Sequence, residues 1–195
     1  MKCLVTYASK YGSTKKYAQW IAEALACDIR DSKDINRTLL EQYDVIIHGG
    51  GLYAGGLSGI RTIVKNFDAI SHKEIVLFSC GLADPGDPEN VAHIEAGLAK
   101  VLKPEMSGKV KQFHLRGGIN YAALSLTHKA MMAMLRKTML QKGYDNLRAE
   151  DRLMLDTYGK VVDFSDRDTI LPLLDYVASL SKTSSGSCLK APSIK

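Results

Sequence analysis

The chain has 195 residues, a formal charge of +5, 46% hydrophobic and 24% charged residues, four cysteines and five histidines. That length suits one domain, with a tail or an insertion if the core fold is smaller. No apolar run approaches the ~20 residues that cross a bilayer, the cysteines (3, 27, 80, 188) lack zinc or disulfide-framework spacing, and no histidine pair sits at i, i+4, so a membrane span, a disulfide scaffold and a metal centre are not expected.

In chain order the apolar patterning predicts a strand over 2–8 and a helix over 13–26, then a short strand near Asp28, Ile29 and Arg30. A strand over 43–49, a helix over 57–68, a strand over 74–80, a helix over 88–102 and a strand over 110–116 follow. The last helix is expected over 167–181, with Pro172 tolerable only in its first turn. This alternation implies a doubly wound α/β fold, a five-stranded parallel sheet in the order 2-1-3-4-5 with helices on both faces. The domain is assigned to 1–181, with an insertion at about 119–160, and the polar segment 182–195 is read as a disordered tail.

The insertion carries the charge asymmetry. Residues 109–148 hold eight basic side chains and one acid, Asp145, leaving the rest of the chain at −2. Leu124, Met131, Met132, Met134, Leu135, Met139 and Leu140 stand among Lys129, Arg136 and Lys137, which predicts a basic amphipathic helix. Its apolar stripe is expected to cover sheet or core, since methionine fills irregular gaps. The alternative is a docking surface for an apolar substrate, a partner or a membrane, with 119–148 as a peripheral contact. With the strand-like N-terminus lacking a signal-peptide pattern, the expected location is the cytoplasm or the inner face of its membrane. Nucleic acid is not an expected partner, and the sequence leaves the oligomeric state open.

In a doubly wound sheet, ligands bind beyond the carboxyl ends of the strands, so the loops after strands 1, 3 and 4 share one site. The first, Ser9-Lys10-Tyr11-Gly12-Ser13-Thr14, runs straight into a helix. A helix N-terminus offers unpaired amides and partial positive charge, and three hydroxyls surround it here, which suits a terminal phosphomonoester. The competing reading is a plain N-cap, Ser13 or Thr14 satisfying its own helix. A single glycine fits neither a Walker A loop nor GxGxxG. After strand 3, the run from His48 to Gly56 lets backbone approach a flat ligand, with Leu52 and Tyr53 supplying apolar and aromatic faces. Gly49, Gly51 and Ala54 match a lax GxGxxA, but Glu74 lies before its strand, at the wrong end for a ribose. After strand 4, Ser79-Cys80-Gly81-Leu82 offers free amides, and Gly117 and Gly118 close the same edge after strand 5. A phosphoacceptor receiver is disfavoured, because Ser9 and Gly49 stand where it needs acids.

With SKYGST after strand 1, GGGLYAGG, SCGLAD and the long basic segment, the chain resembles flavodoxin-type flavoproteins, and among them the menaquinone-dependent protoporphyrinogen dehydrogenase branch. The resemblance implies FMN. It would place Ser9, Lys10, Tyr11, Gly12, Ser13 and Thr14 around the phosphate, Gly51, Leu52, Tyr53, Ala54 and Gly55 on one side of the isoalloxazine, and Ser79, Cys80, Gly81 and Leu82 along its other edge. It implies an oxidoreductase passing electrons between an organic substrate and a quinone or protein acceptor, with a non-enzymatic electron carrier or a flavin-free binding module as the alternatives. No catalytic residue is assigned. Tyr11 stands where carriers usually have Thr, and the basic charge departs from their acidic surfaces.

Overall fold

Six strands form the central sheet of the computed structural model, which describes residues 1–53 and 56–185, the side chains of 182–185 excepted. They are β1 (Cys3–Ala8), β2 (Asp28–Asp31), β3 (Val45–Tyr53), β4 (Gly56–Leu57), β5 (Glu74–Gly81) and β6 (Val110–Arg116). Five run parallel in the order β2-β1-β3-β5-β6, and β4 hangs antiparallel from the end of β3. Discounting that short strand, this is the expected order. The register sets Ala8 beside Gly50, Gly51 beside Cys80 and Gly81 beside Arg116, so the ends of four strands meet at one edge.

Alternation within the strands divides the core into two layers. Val5, Val45, Ile47, Val76 and Phe78 face α1 (Ser13–Ala24) and α7 (Leu171–Ser185), which cover them with Tyr17, Ile21, Leu173 and Val177. Leu4, Ile46, Ile75 and Leu77 point the other way, onto Ile63 and Phe67 of α3 (Ile60–Ile70) and Leu98 of α4 (Pro88–Ala99), with Leu40 from α2 (Arg37–Leu40). The period of two follows from strand geometry. Each of these buried aliphatic side chains contributes about 1.5–3 kcal/mol.

The insertion leaves and returns through an antiparallel pair, β7 (Gly118–Asn120) against β8 (Val161–Asp163). Between them lie α5 (Leu126–Lys142) and α6 (Ala149–Asp156). Arg116 pins the insertion to the sheet: its guanidinium meets Asp84 at 2.9 Å and Glu150 of α6 at 3.5 Å, donates to Leu82 O at 3.2 Å and covers the Phe164 ring. Arg148 bridges to Glu89 at 3.0 Å and to Asp151 at 3.5 Å.

Several boundaries differ from expectation. β3 runs to Tyr53, so Gly49, Gly50 and Gly51 lie inside a central strand and not in a loop. Gly49 has a packing reason, since a Cβ there would stand 2.0 Å from the Phe78 ring. The helix expected from 57 begins at Ile60, the one expected to 102 ends at Ala99, and α7 reaches Ser185. Of the expected tail, 186–195 lie outside the described residues. The insertion is two helices, and its apolar stripe does not cover the core: Met139 is the one buried side chain of α5, while Leu126 and Met134 are 85% and 73% exposed. Apolar residues are scattered around α5 and do not gather on one face. Cys80 is buried, but Cys3 and Cys27 are half-exposed. Among the described residues, no cluster of metal-ligating side chains occurs and no helix is long and apolar enough to cross a membrane.

Candidate functional site

At the carboxyl edge the strand ends and the insertion enclose a cleft of about 240 Å³. Ser9, Tyr11, Gly12, Ser13 and Thr14 form its floor, Gly51, Leu52 and Tyr53 one wall, and Cys80, Gly81 and Leu82 another. Two expected residues are not part of it. Lys10 is exposed, its ammonium 5.6 Å from the Tyr11 ring, and the buried Ser79 hydroxyl bonds His114 Nδ1 at 2.8 Å, within the fold. Ala54 and Gly55 lie outside the described residues.

The turn from β1 into α1 has the features a phosphate needs. Gly12 takes φ +104°, a region that side-chain-bearing residues rarely adopt, and Lys16 N–H donates to Gly12 O at 2.9 Å to start the helix. No side chain caps α1, nor α3 or α6, whereas Asn36, Asp87 and Ser125 cap α2, α4 and α5. A Ser13 or Thr14 cap is therefore not what the sequence builds. Ser13 Oγ instead accepts from Gly118 N–H at 3.3 Å, Ser9 Oγ accepts from Gly12 N–H at 3.1 Å, and Thr14 Oγ1 bonds the Cys80 thiol. The hydroxyl hydrogens of Ser9 and Ser13 remain for a ligand, beside uncapped amides. A phosphate would supply the missing cap.

Beneath the β3 wall lies His48, fully buried. Its Nε2 stands 3.0 Å from Ser58 O, so that nitrogen carries the hydrogen, and Nδ1 accepts from the Thr6 hydroxyl at 2.8 Å. Burial pushes its pKa down to about 4, so the ring is neutral, and it ties the segment returning from Tyr53 to β1. Burial also pushes the Cys80 thiol up to about 12 and the Tyr53 hydroxyl up to about 12, keeping both protonated at neutral pH. A Cβ at Gly117 would meet Cys80 Sγ at 2.7 Å, so the slot beside Cys80 needs a bare backbone there.

The remaining wall comes from the insertion: Leu124, Met131, Met132 and Met154, with Ile119 and His128. His128 stacks on Tyr53, centroids 5.3 Å apart at 26°, and its Nδ1 shares a hydrogen bond with the Tyr11 hydroxyl at 2.7 Å. That hydroxyl in turn accepts from Ser125 N–H at 3.3 Å. Burial alone would raise Tyr11, but the Ser125 amide and the Lys10 ammonium outweigh it and lower its pKa. Tyr11, in place of the small hydroxyl residue, thus reaches across to α5. Sequence reasoning missed His128 and Met154. The spacing of His128 to Met131 and Met132, three and four residues on a helix, was the one available signal.

A flavodoxin domain model matches residues 4–148. An uncharacterised protein of Methanocaldococcus jannaschii is 35% identical over 82 residues, 40% of this chain, and the match spans about half (53%) of that relative. Among solved structures, oxidised flavodoxin 2 of Bacillus cereus is 21% identical with a TM-score of 0.40, covering 60% of this chain and 86% of that one. The two-electron-reduced flavodoxin of Megasphaera elsdenii is 16% identical with a TM-score of 0.41, covering 57% and 82%. With an uncapped helix start for the phosphate and a slot held open by glycine beside Cys80, the residues present fit a flavin mononucleotide; the chain belongs to the flavodoxin domain family, and FMN is its cofactor.

Proposed function

We propose that this flavoprotein is an oxidoreductase that exchanges electrons with a small apolar molecule, a quinone or a reduced organic anion, held between the sheet edge and the insertion. The carrying observation is the apolar wall of Leu124, Met131, Met132 and Met154, with His128 closing it onto Tyr53. A carrier that meets a partner protein at an exposed flavin edge gains nothing from such a wall. The resemblance to menaquinone-dependent protoporphyrinogen dehydrogenases supports the finer reading, in which the donor is a porphyrinogen and the acceptor a quinone. Around α5, exposed Leu126, Met134 and Leu140 stand among Lys129, Lys137 and Lys142, a composition suited to an anionic bilayer where apolar quinones reside.

When bound, FMN supplies the electron exchange. The α1 amides and the Ser9 and Ser13 hydroxyls would hold its phosphate end, and Leu52, Tyr53 and Leu82 would border its ring. Tyr11 and His128, joined by their 2.7 Å bond, can pass a proton between Oη and Nδ1 at the cleft mouth. Cys80 stays a thiol and takes no charge.

The test is anaerobic turnover of the FMN-loaded protein with a soluble naphthoquinone, compared with a Met131→Ala/Met132→Ala variant. Loss of about 1 kcal/mol of apolar contact per side chain raises KM roughly tenfold or more for the pair, with little change in kcat. Equal kinetics for both proteins, or reduction of protein acceptors alone, would establish the carrier reading.

A further inference from the structure

We propose that Cys3 and Cys27 form a peroxide-reactive dithiol that closes reversibly into an intrachain disulfide at the amino edge of the sheet, the end opposite the FMN cleft. β1 and β2 pair in parallel with Leu4 opposite Asp28, so the residues just before them, Cys3 and Cys27, continue that register. Adjacent strands lie ~4.8 Å apart, inside the ~4.4–6.8 Å Cα separation that a disulfide spans. Both side chains are on the same face, packed with Trp20 and Leu25, and the two thiols hydrogen-bond each other.

Local structure makes the pair unequal. After α1 the Cys27 amide donates to Ala22 O at 3.0 Å and the Ala26 amide to Glu23 O at 3.2 Å, a helix-terminating pair of hydrogen bonds formed with Ala26 at φ +47°. This turn delivers the Cys27 sulfur to the S–H of Cys3 and the N–H of Val5, which lower its pKa against the opposing effects of burial and Asp28. The Cys3 thiol is raised by the same contact and by burial. The Val5 N–H reaches the Cys27 sulfur and not that of Cys3, so Cys27 is assigned as the attacking sulfur and Cys3 as the resolving one. Both are half-exposed, whereas Cys80 is buried.

The oxidant class is a peroxide, and the step balances. The Cys27 thiolate attacks one peroxide oxygen, the O–O bond breaks, and the leaving hydroxide takes a proton to become water, giving a sulfenic acid. Cys3 sulfur then attacks the sulfenic sulfur, the S–O bond breaks, and the Cys3 proton leaves with that hydroxide as a second water. Two thiols lose two electrons, and one peroxide becomes two waters.

The experiment treats the full FMN-loaded chain with stoichiometric hydrogen peroxide and maps tryptic peptides by mass. The expected result is a loss of two hydrogens, with the Cys3–Lys10 and Tyr17–Arg30 peptides joined, reversed by dithiothreitol. Cys27→Ser should react at least tenfold more slowly, and Cys3→Ser should stop at a sulfenic acid that dimedone traps. Peptides that remain separately alkylated after peroxide, or a cross-link that runs through Cys188, would overturn the proposal.

Discussion

His48 gives the sharpest test of the physical reasoning, because its burial makes a numerical demand on stability. Its pKa falls from 6.5 to about 4 on folding. Between those values the unfolded chain binds the proton and the folded chain does not. Its contribution is thus complete above pH 6.5, declines as acid is added, and is spent near pH 4. At 1.36 kcal/mol per pKa unit, the total is roughly 3 kcal/mol. Other groups also titrate, Asp163 among them: hydrogen bonding from Ser165 holds its carboxyl low, against partial burial, and Lys16 adds to the effect. Comparison with His48→Gln cancels those contributions. The variant should lose about 1–3 kcal/mol at neutral pH, through the Thr6 or Ser58 bond. From about pH 7 to about pH 4 its stability should fall by roughly 3 kcal/mol less than wild type. Urea unfolding followed by far-UV circular dichroism reads both curves. Since His48 anchors Ser58, FMN fluorescence should rise over the same window in wild type as cofactor is released. Parallel pH curves for the two proteins would refute the account.

Ala26→Gly should stabilise the fold by about 0.5–1 kcal/mol, because the residue stands at φ +47° at a helix C-terminus, and thermal melts would show it. Gly12→Ala meets no atom within 4 Å, so its cost, roughly 1–2 kcal/mol, comes from the backbone alone and should appear in urea unfolding together with weaker FMN binding by fluorescence titration. Arg116→Gln should cost about 2 kcal/mol by leaving Glu150 without its cation, with faster amide exchange in α6.

The parallel sheet and its order were legible because short apolar runs alternating with helical periodicity have few other solutions. Glycine misled at β3. Read along the chain, Gly49 to Gly51 suggests a loop, but Gly49 makes room for Phe78 on the neighbouring strand, a demand no local pattern reveals. The loop after β1 left its own ambiguity, and the missing side-chain cap on α1 removes only the plain N-cap reading. The fate of the insertion's methionines was the hardest to foresee. Composition favoured burial, yet the side chains of α5 divide between the cleft and solvent, because α5 packs on no sheet face of its own. His128 acquires its partners, Tyr11 and Tyr53, from 117 and 75 residues away, which sequence spacing does not encode.

The β7–β8 ladder has an architectural consequence. Asn120 and Val161 face each other in register, so everything between them departs from and returns to a single point on the scaffold. A two-residue Asn-Gly hairpin could join those strands directly and leave the nucleotide-binding frame closed. Selectivity for the electron partner would then be a detachable cassette, open to exchange between related proteins without redesign of the sheet that carries the flavin.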